Sequence, residues 1–258
     1  MMVDLRPFTG IPAKAILSRR SDFAAFYQVI IENIYSHLLS SIREGDVVID
    51  AGANIGLFSI LASFKVKEKG RVIAIEPEPN NLKILKQNVE LNGLNNVIII
   101  PKALYDKPGK RVNMRGEGVG AFVSEDGEGT VETTTLDVIA EENRLRPRIL
   151  KMDIEGAEGK ALLGSINTVK YLELIEMEVH DEENMKQVEE ILFRFKFKKK
   201  EVAIEDLRNV YRQFIRHPIN ILRIEAANRF STTKRVLLSR INGGKVSLFP
   251  KQIVYYRG

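Results

Sequence analysis

The sequence predicts an α/β fold organised around a doubly wound, mostly parallel sheet of seven strands, and three observations carry that expectation. From residue 46 onward, short apolar runs alternate with stretches of helical period. Three of the runs, at residues 47–50, 71–76 and 148–153, end in an acid: Asp50, Glu76 and Asp153. The first run passes directly into a glycine-rich turn. Strands and helices alternating at this pace build parallel sheets, because each crossover needs a helix to bring the chain back.

Residues 1–44 are expected to form a helical N-terminal extension. Phe23, Phe26, Val29, Ile30, Ile34 and Leu38 recur at three and four, with Asp22 as the cap. The main domain then runs over residues 45–258. Its strands are expected at 47–50, 71–76, 97–100, 148–153, 172–180, 197–204 and 246–256. Helical stretches at 57–64, 80–92, 157–166 and 184–195 separate them, the second stopped by Gly93. Residues 116–129 hold five glycines and read as a loop or loose hairpin. A basic helical insertion, broken at Pro218, is expected at about 205–242.

Hydrophobic residues make up 44% and charged residues 28%, a globular balance that excludes a disordered chain or a fibre. The absence of cysteine removes disulfide frameworks, thiolate zinc sites, iron–sulfur clusters and a cysteine nucleophile. With only His37, His180 and His217, a histidine-rich metal centre is excluded as well. Residues 1–20 lack the ordered regions of a signal peptide, so a soluble, cytoplasmic protein without a membrane span is expected.

Charge is unevenly spread. Residues 1–193 hold 23 basic and 30 acidic side chains, whereas residues 194–258 hold 16 and 4. Arg208, Arg212 and Arg216 fall at intervals of four, which aligns them on one helical face. Such a face wants an acidic partner. The reading favoured is docking on the acidic part of the chain or on a second subunit in a homodimer; nucleic acid is the other candidate.

In an open parallel sheet the ligand lies beyond the carboxyl ends of the strands, where Asp50, Glu76 and Asp153 fall. The first turn reads Asp50-Ala-Gly-Ala-Asn-Ile-Gly56. Gly52 and Gly56 let backbone approach a ligand, but the third glycine of a dinucleotide fingerprint is missing, and Asp50 would repel a pyrophosphate. A cationic ligand bearing a ribose and an adenine fits better, which points to S-adenosylmethionine (SAM). Glu76, one strand–helix–strand step further on, is placed to accept hydrogen bonds from ribose hydroxyls. Asn54 and the turn backbone would lie near the methionine end. Ala103 and Leu104, just past the third strand, are candidates for the adenine wall.

Four blocks carry a family resemblance: Val48-Ile-Asp-Ala-Gly-Ala-Asn-Ile-Gly56, Ala74-Ile-Glu-Pro77, Thr134-Thr-Leu-Asp137 and Leu150-Lys-Met-Asp-Ile-Glu-Gly-Ala-Glu158. In this order they resemble the FkbM family of SAM-dependent methyltransferases, as does Glu178-Val-His180, over roughly residues 45–200. The resemblance implies a Rossmann-like fold of the class I methyltransferase type, with Pro77 beside Glu76 in the cofactor site. It also implies methylation, mostly O-methylation, of small-molecule or carbohydrate-like acceptors. An RNA methyltransferase using the basic C-terminal region and a non-catalytic SAM-binding module are the alternatives.

Methyl transfer needs alignment of acceptor, methyl and sulfur, and a proton acceptor if the nucleophile is a hydroxyl. Polar Glu176, Glu178 and His180 alternate with apolar residues along a strand expected to be central, so their side chains should reach the site. The catalytic candidates are Asp153, His180, Glu155 and Glu178. His180 has the side-chain type best suited to take a proton near neutral pH, with Asp153 as the alternative if burial raises its pKa. Coordination of a divalent metal by the Asp153–Glu158 acids ranks third, and no metal ligand is assigned.

Overall fold

The computed structural model describes residues 1–116, 122–126, 129–201, 213, 215–218, 220–221, 224 and 251–257. The chain starts with β1 (Met2–Asp4), α1 (Arg6–Thr9) and β2 (Lys14–Ile16). Next come α2 (Arg20–Phe26), a π-helical turn (Tyr27–Ile31) and α3 (Ser36–Ser41). The first half of the main domain comprises β3 (Val47–Ala51), α4 (Leu57–Val66), β4 (Arg71–Ile75), α5 (Pro79–Leu91) and β5 (Val97–Ile100). A small β region follows, made of β6 (Ala103–Leu104), β7 (Arg111–Arg115), β8 (Phe122–Ser124) and β9 (Val131–Thr134). The chain continues through α6 (Leu136–Glu142), β10 (Ile149–Met152), α7 (Glu158–Leu163), α8 (Ile166–Val169), β11 (Leu174–Val179) and α9 (Glu182–Arg194). It closes the sheet with β12 (Lys198–Glu201) and β13 (Lys251–Tyr256).

The main sheet has seven strands in the order β12-β13-β11-β10-β3-β4-β5. Strands β11, β10, β3, β4 and β5 run parallel, while β13 is antiparallel to both its neighbours. From β3 the chain steps outward through β4 to β5, then returns to build β10 on the other side of β3. That reversal opens a crevice between the carboxyl ends of β3 and β10.

Both faces of the sheet are covered, which is why its strands are apolar on both sides. On one face Val48, Val72, Ile149 and Val254 pack with Leu17, Phe26, Ile31, Tyr35 and Leu38 of the N-terminal segment and with α4. On the other, Ile49, Ile73, Leu150, Ile175 and Tyr255 pack with α6, α7 and α9 residues such as Ile139, Leu162 and Leu192. Each fully buried side chain of this kind contributes roughly 1.5–3 kcal/mol relative to exposure.

The N-terminal segment differs from the expected purely helical extension. It begins with an antiparallel pair, β1 with β2, and its helices belong to the main core. Asp22 is not the cap but the third residue of α2, where its carboxylate accepts the Ser18 and Arg19 amides at 2.7 and 2.9 Å. The helical period read over residues 22–38 hid a break, because apolar spacing does not distinguish α from π turns. Here the Glu32 amide donates to the Tyr27 carbonyl at 2.8 Å, five residues back.

In the region of the expected loop or loose hairpin, β7 pairs antiparallel with β8, while residues 117–121 and 127–128 of that segment lie outside the described residues. The expected basic helix falls largely outside the described residues, Arg208 and Arg212 among them, whereas Arg216 is described and exposed. Among the described residues no helix is long and apolar enough to cross a membrane.

Candidate active site

A cavity of about 390 Å³ opens at the crevice. That volume suits a small molecule. Its walls come from three sources: the strand ends and loops after β3, β4, β10 and β11, the small β region, and the N-terminal segment.

The turn after β3 is shaped by close packing. Gly52 has φ 75°, and a Cβ there would sit 1.8 Å from the Asp153 carbonyl oxygen, so no larger residue fits between these strand ends. The amides of Gly52 and Ala53 both donate to the Ile75 carbonyl at 3.0 Å. Asn54 takes the left-handed conformation, φ 51°, and its amide donates to Glu76 Oε2 at 2.7 Å. The other oxygen of Glu76 accepts the Glu78 amide at 2.9 Å and the Asn81 side chain at 3.4 Å. Burial pushes the Glu76 carboxyl up to about 7, with the two backbone amides pulling the other way. Gly52, Asn54, Glu76, Pro77, Ala103 and Leu104 all line the cavity.

Two expected cofactor residues do not. Gly56 stands behind the turn, where a Cβ would meet Leu85 Cδ1 at 2.4 Å, so its smallness serves the packing of α4 on α5. Asp50 is fully buried beneath the cavity and does not line it. It accepts the Ser59 hydroxyl at 2.6 Å and lies 3.2 Å from Lys151 Nζ. Parallel register puts Lys151 directly beside Asp50. The ammonium also donates to the Gly52 carbonyl at 2.6 Å, which ties the turn to β10. Burial alone would lower the Lys151 pKa, but the carboxylates of Asp50 and Asp153 outweigh it and hold the group charged.

The β10 and β11 ends bring the catalytic candidates together. Asp153 accepts a hydrogen bond from the Tyr35 hydroxyl at 3.1 Å. The Tyr35 ring packs edge-on to Phe58 at 5.5 Å, and Lys151 Nζ stands 5.3 Å from its centre. Burial raises the Asp153 carboxyl; Lys151 and His180 oppose that shift while Glu155 adds to it. Burial, followed by repulsion from Asp153, pushes Glu178 up to about 8. His180 Nε2 lies 3.1 Å from Glu155 and 3.9 Å from Glu178, and Nδ1 lies 3.4 Å from Glu158. Desolvation would lower its pKa, but Glu155 and Glu158 overcome this and push it up to about 11.

Carboxylates on both sides of the imidazole favour its protonated form, which counts against the expectation that His180 is the base and leaves Asp153, the expected alternative, as the candidate proton acceptor. Glu158 is structural: fully buried, it accepts the Ile154 and Gly156 amides at 3.2 Å and the Asn184 side chain. Glu176 is also buried, bonded to Gln252 at 3.0 Å and raised to about 7 by desolvation. It does not line the cavity. One ligand atom each from Asp153, Glu155 and His180 lies within 4.8 Å of the others, near enough to share a cation. Of these groups, Glu155 and His180 are paired at 3.1 Å, and Asp153 accepts from Tyr35.

Sequence reading missed Lys151, Tyr35 and Gln28, all of which line the cavity. Lys151 did carry a signal, being a charged residue inside an apolar run that ends in an acid. Tyr35 and Gln28 carried none, since they meet the site only through the packing of the N-terminal segment on the sheet.

Residues 50–217 match the family model described as the methyltransferase FkbM domain. Among curated proteins, the chain is similar to the hexuronic acid methyltransferase AglP of Haloferax volcanii, 27% identical over 166 residues that cover 62% of this chain and 67% of that protein. It is also 42% identical over 65 residues to a probable cobalt-precorrin-6B C(15)-methyltransferase of Sulfurisphaera tokodaii, covering 24% and 34%. Among solved structures, an rRNA methylase of Streptococcus thermophilus aligns with TM-score 0.47 at 10% identity, covering 94% of this chain and 99% of that one. A SAM-dependent O-methyltransferase of Thermotoga maritima aligns with TM-score 0.45 at 13% identity, covering 73% and 60%.

Proposed function

Because the chain belongs to the FkbM methyltransferase family, a SAM-dependent family, we propose that it transfers the methyl group to a hydroxyl of a small, carbohydrate-like acceptor. SAM supplies a methyl group on a sulfonium, already activated for displacement. The cavity residues fit such a ligand: Glu76 for the ribose hydroxyls, the Gly52–Asn54 turn for the methionine end, and Pro77, Ala103 and Leu104 for the adenine. Asp50 acts from below, holding Lys151, which in turn holds the carbonyl of Gly52.

The observation that carries the hydroxyl reading is the pair Asp153 and Glu178 at the far end of the cavity. Both are raised above the ordinary carboxylate range. A carboxyl poised nearer to neutrality is a better proton acceptor for a hydroxyl than an ordinary surface acid. Tyr35 donates to one oxygen of Asp153, which itself lines the cavity. The carbohydrate reading draws support from the Haloferax volcanii relative, whose name is that of a hexuronic acid methyltransferase.

Incubation of the protein with methyl-labelled SAM and a fractionated cell extract tests the proposal. Label is expected in the sugar or glycan fraction, stable to mild base as a methyl ether is. Label confined to RNA would overturn the reading and revive the nucleic-acid alternative that the basic C-terminal residues suggested.

A further inference from the structure

We propose that Lys151 is a positioning residue shared by both partners of methyl transfer: its buried ammonium holds the backbone turn that meets the cofactor and favours the working form of Asp153, the carboxylate that takes the acceptor's proton. The inference rests on the hydroxyl reading above and adds to it the group that ties the cofactor turn to the proton acceptor.

Register sets Lys151 of β10 between two acids, Asp50 on β3 and Glu176 on β11, and β13 adds Gln252 beside Glu176. All four side chains are buried, which makes a polar row across four adjacent strands of the main sheet. Residues two apart on a strand share a face. The row therefore lies on the face of Val48, Ile149 and Val254, which pack with the N-terminal segment. Taking charges out of water is costly, and well-packed apolar side chains in their place are often neutral or stabilising. Stability alone does not call for such a row.

Of the four, Lys151 is the one that lines the cavity. Its ammonium donates to the Gly52 carbonyl at 2.6 Å, fixing the turn whose Asn54 amide holds Glu76. It lies 3.2 Å from one oxygen of Asp50, whose other oxygen takes the Ser59 hydroxyl. It also stands 5.3 Å from the centre of the Tyr35 ring, and the hydroxyl of that ring donates to Asp153 at 3.1 Å. Asp153, two residues on from Lys151, lines the cavity as well.

Charge gives this placement its consequence. Burial raises the Asp153 carboxyl, and Lys151 is the largest influence against that rise; His180 sides with Lys151, while Glu155 and Glu158 side with burial. A carboxyl that stayed protonated could not accept a proton, so the ammonium favours the working form. Lys151 acts in the same sense on Glu76, Glu176 and Glu178. Its own charge is kept against burial by Asp50 and then Asp153.

The test uses the full chain and separates charge from packing. Lys151→Met alone leaves Asp50 a buried acid without its ammonium and should destabilise the fold. The double variant Asp50→Asn, Lys151→Met removes both charges and is the one assayed, beside Lys151→Arg, which keeps the cation. Carboxyl-carbon NMR follows the Asp153 titration, with the resonance assigned by its loss in Asp153→Asn. In the double variant Asp153 should titrate higher by about one pH unit or more, and in Lys151→Arg within about half a unit of the parent chain. SAM affinity, measured by calorimetry, should fall about tenfold in the double variant as the turn is released. The acidic limb of kcat/KM, assayed with labelled SAM and the sugar fraction of a cell extract, should move up with the titration. An Asp153 titration unmoved in the folded double variant, with sugar methylation intact, overturns the part given to Lys151 alone. A shift as large in Lys151→Arg assigns the effect to packing and overturns it too. A parent chain that binds SAM but methylates no sugar fraction defeats the hydroxyl reading and, with it, the proton-accepting role of Asp153.

Discussion

Glu76 and Glu178 both stand at the carboxyl end of a parallel strand, both line the same cavity, and burial raises both above the ordinary carboxylate range. Their surroundings differ. Glu76 is surrounded by donors, its oxygens taking the amides of Asn54 and Glu78 at 2.7 and 2.9 Å. Glu178 faces other titratable groups: Asp153, Glu155 and His180. Fixed amides hold a carboxylate in one orientation and keep it from drifting when a ligand arrives. Crowded acids instead raise one another's proton affinity, because each ionisation makes the next harder. On the function proposed above, Glu76 would serve to hold the cofactor and the acids around Glu178 to exchange a proton.

The strongest way to break this comparison is Asp153→Asn. It keeps the shape and the Tyr35 contact but removes a proton acceptor, so kcat should fall by about 10²–10⁴-fold. SAM affinity, measured by calorimetry, should move far less. Loss of SAM binding with kcat intact would reverse the division of labour.

Glu76→Ala probes the other half. Hydrogen bonds to a charged group are worth about 1.5–3 kcal/mol each, so SAM binding should weaken by about 10–100-fold with the fold retained. A variant that binds SAM normally yet turns over slowly would show that Glu76 belongs to the proton-exchanging side.

The smallest effect is on stability. Glu76 and Glu176 are raised from 4.5 to about 7, Glu178 from 4.5 to about 8, and His180 from 6.5 to about 11. Each group holds its proton in the folded state after the unfolded chain has lost it. Its contribution is therefore fully present below the unfolded value and is lost as pH rises through the folded one. The melting temperature of the ligand-free protein should fall between pH 5 and pH 8. Glu125, lowered to about 2 by its contacts with Lys160 and Tyr105, has the opposite sign but acts below this window. Glu178→Gln should flatten the upper part of the curve, and a melting temperature that rises over pH 5–8 would contradict the burial assigned to these acids.

Asp50 and Glu76 show how far a sequence can be read toward a site. Both close an apolar run and both precede a turn, so the pattern along the chain treats them alike. Register separates them: β10 lies beside β3 and sets Lys151 against Asp50, whereas Glu76 lies past the end of β4 and meets the amide of Asn54. His180 makes the same point through chemistry. Its residue type suggests a base, but Glu155 from the loop after β10 and Glu158 at the start of α7 come within reach of it and push its pKa up.

What the sequence determined by itself is what depends on neighbours along the chain. Apolar runs closed by acids, the helical spacing between them and the Gly52 turn are local, and they yielded the seven strands, the crevice and several residues that line the cavity there, among them Gly52, Asn54 and Glu76. Tertiary structure alone decided what depends on residues far apart in the chain. The 118-residue separation between Tyr35 and Asp153, the place of Gln28 in the cavity wall and the pairing of Lys151 with Asp50 left no local pattern. Hydrogen bonds and charge–charge interactions are fixed by distance in space, and that distance is set only when the N-terminal segment packs on the sheet and the strands find their register.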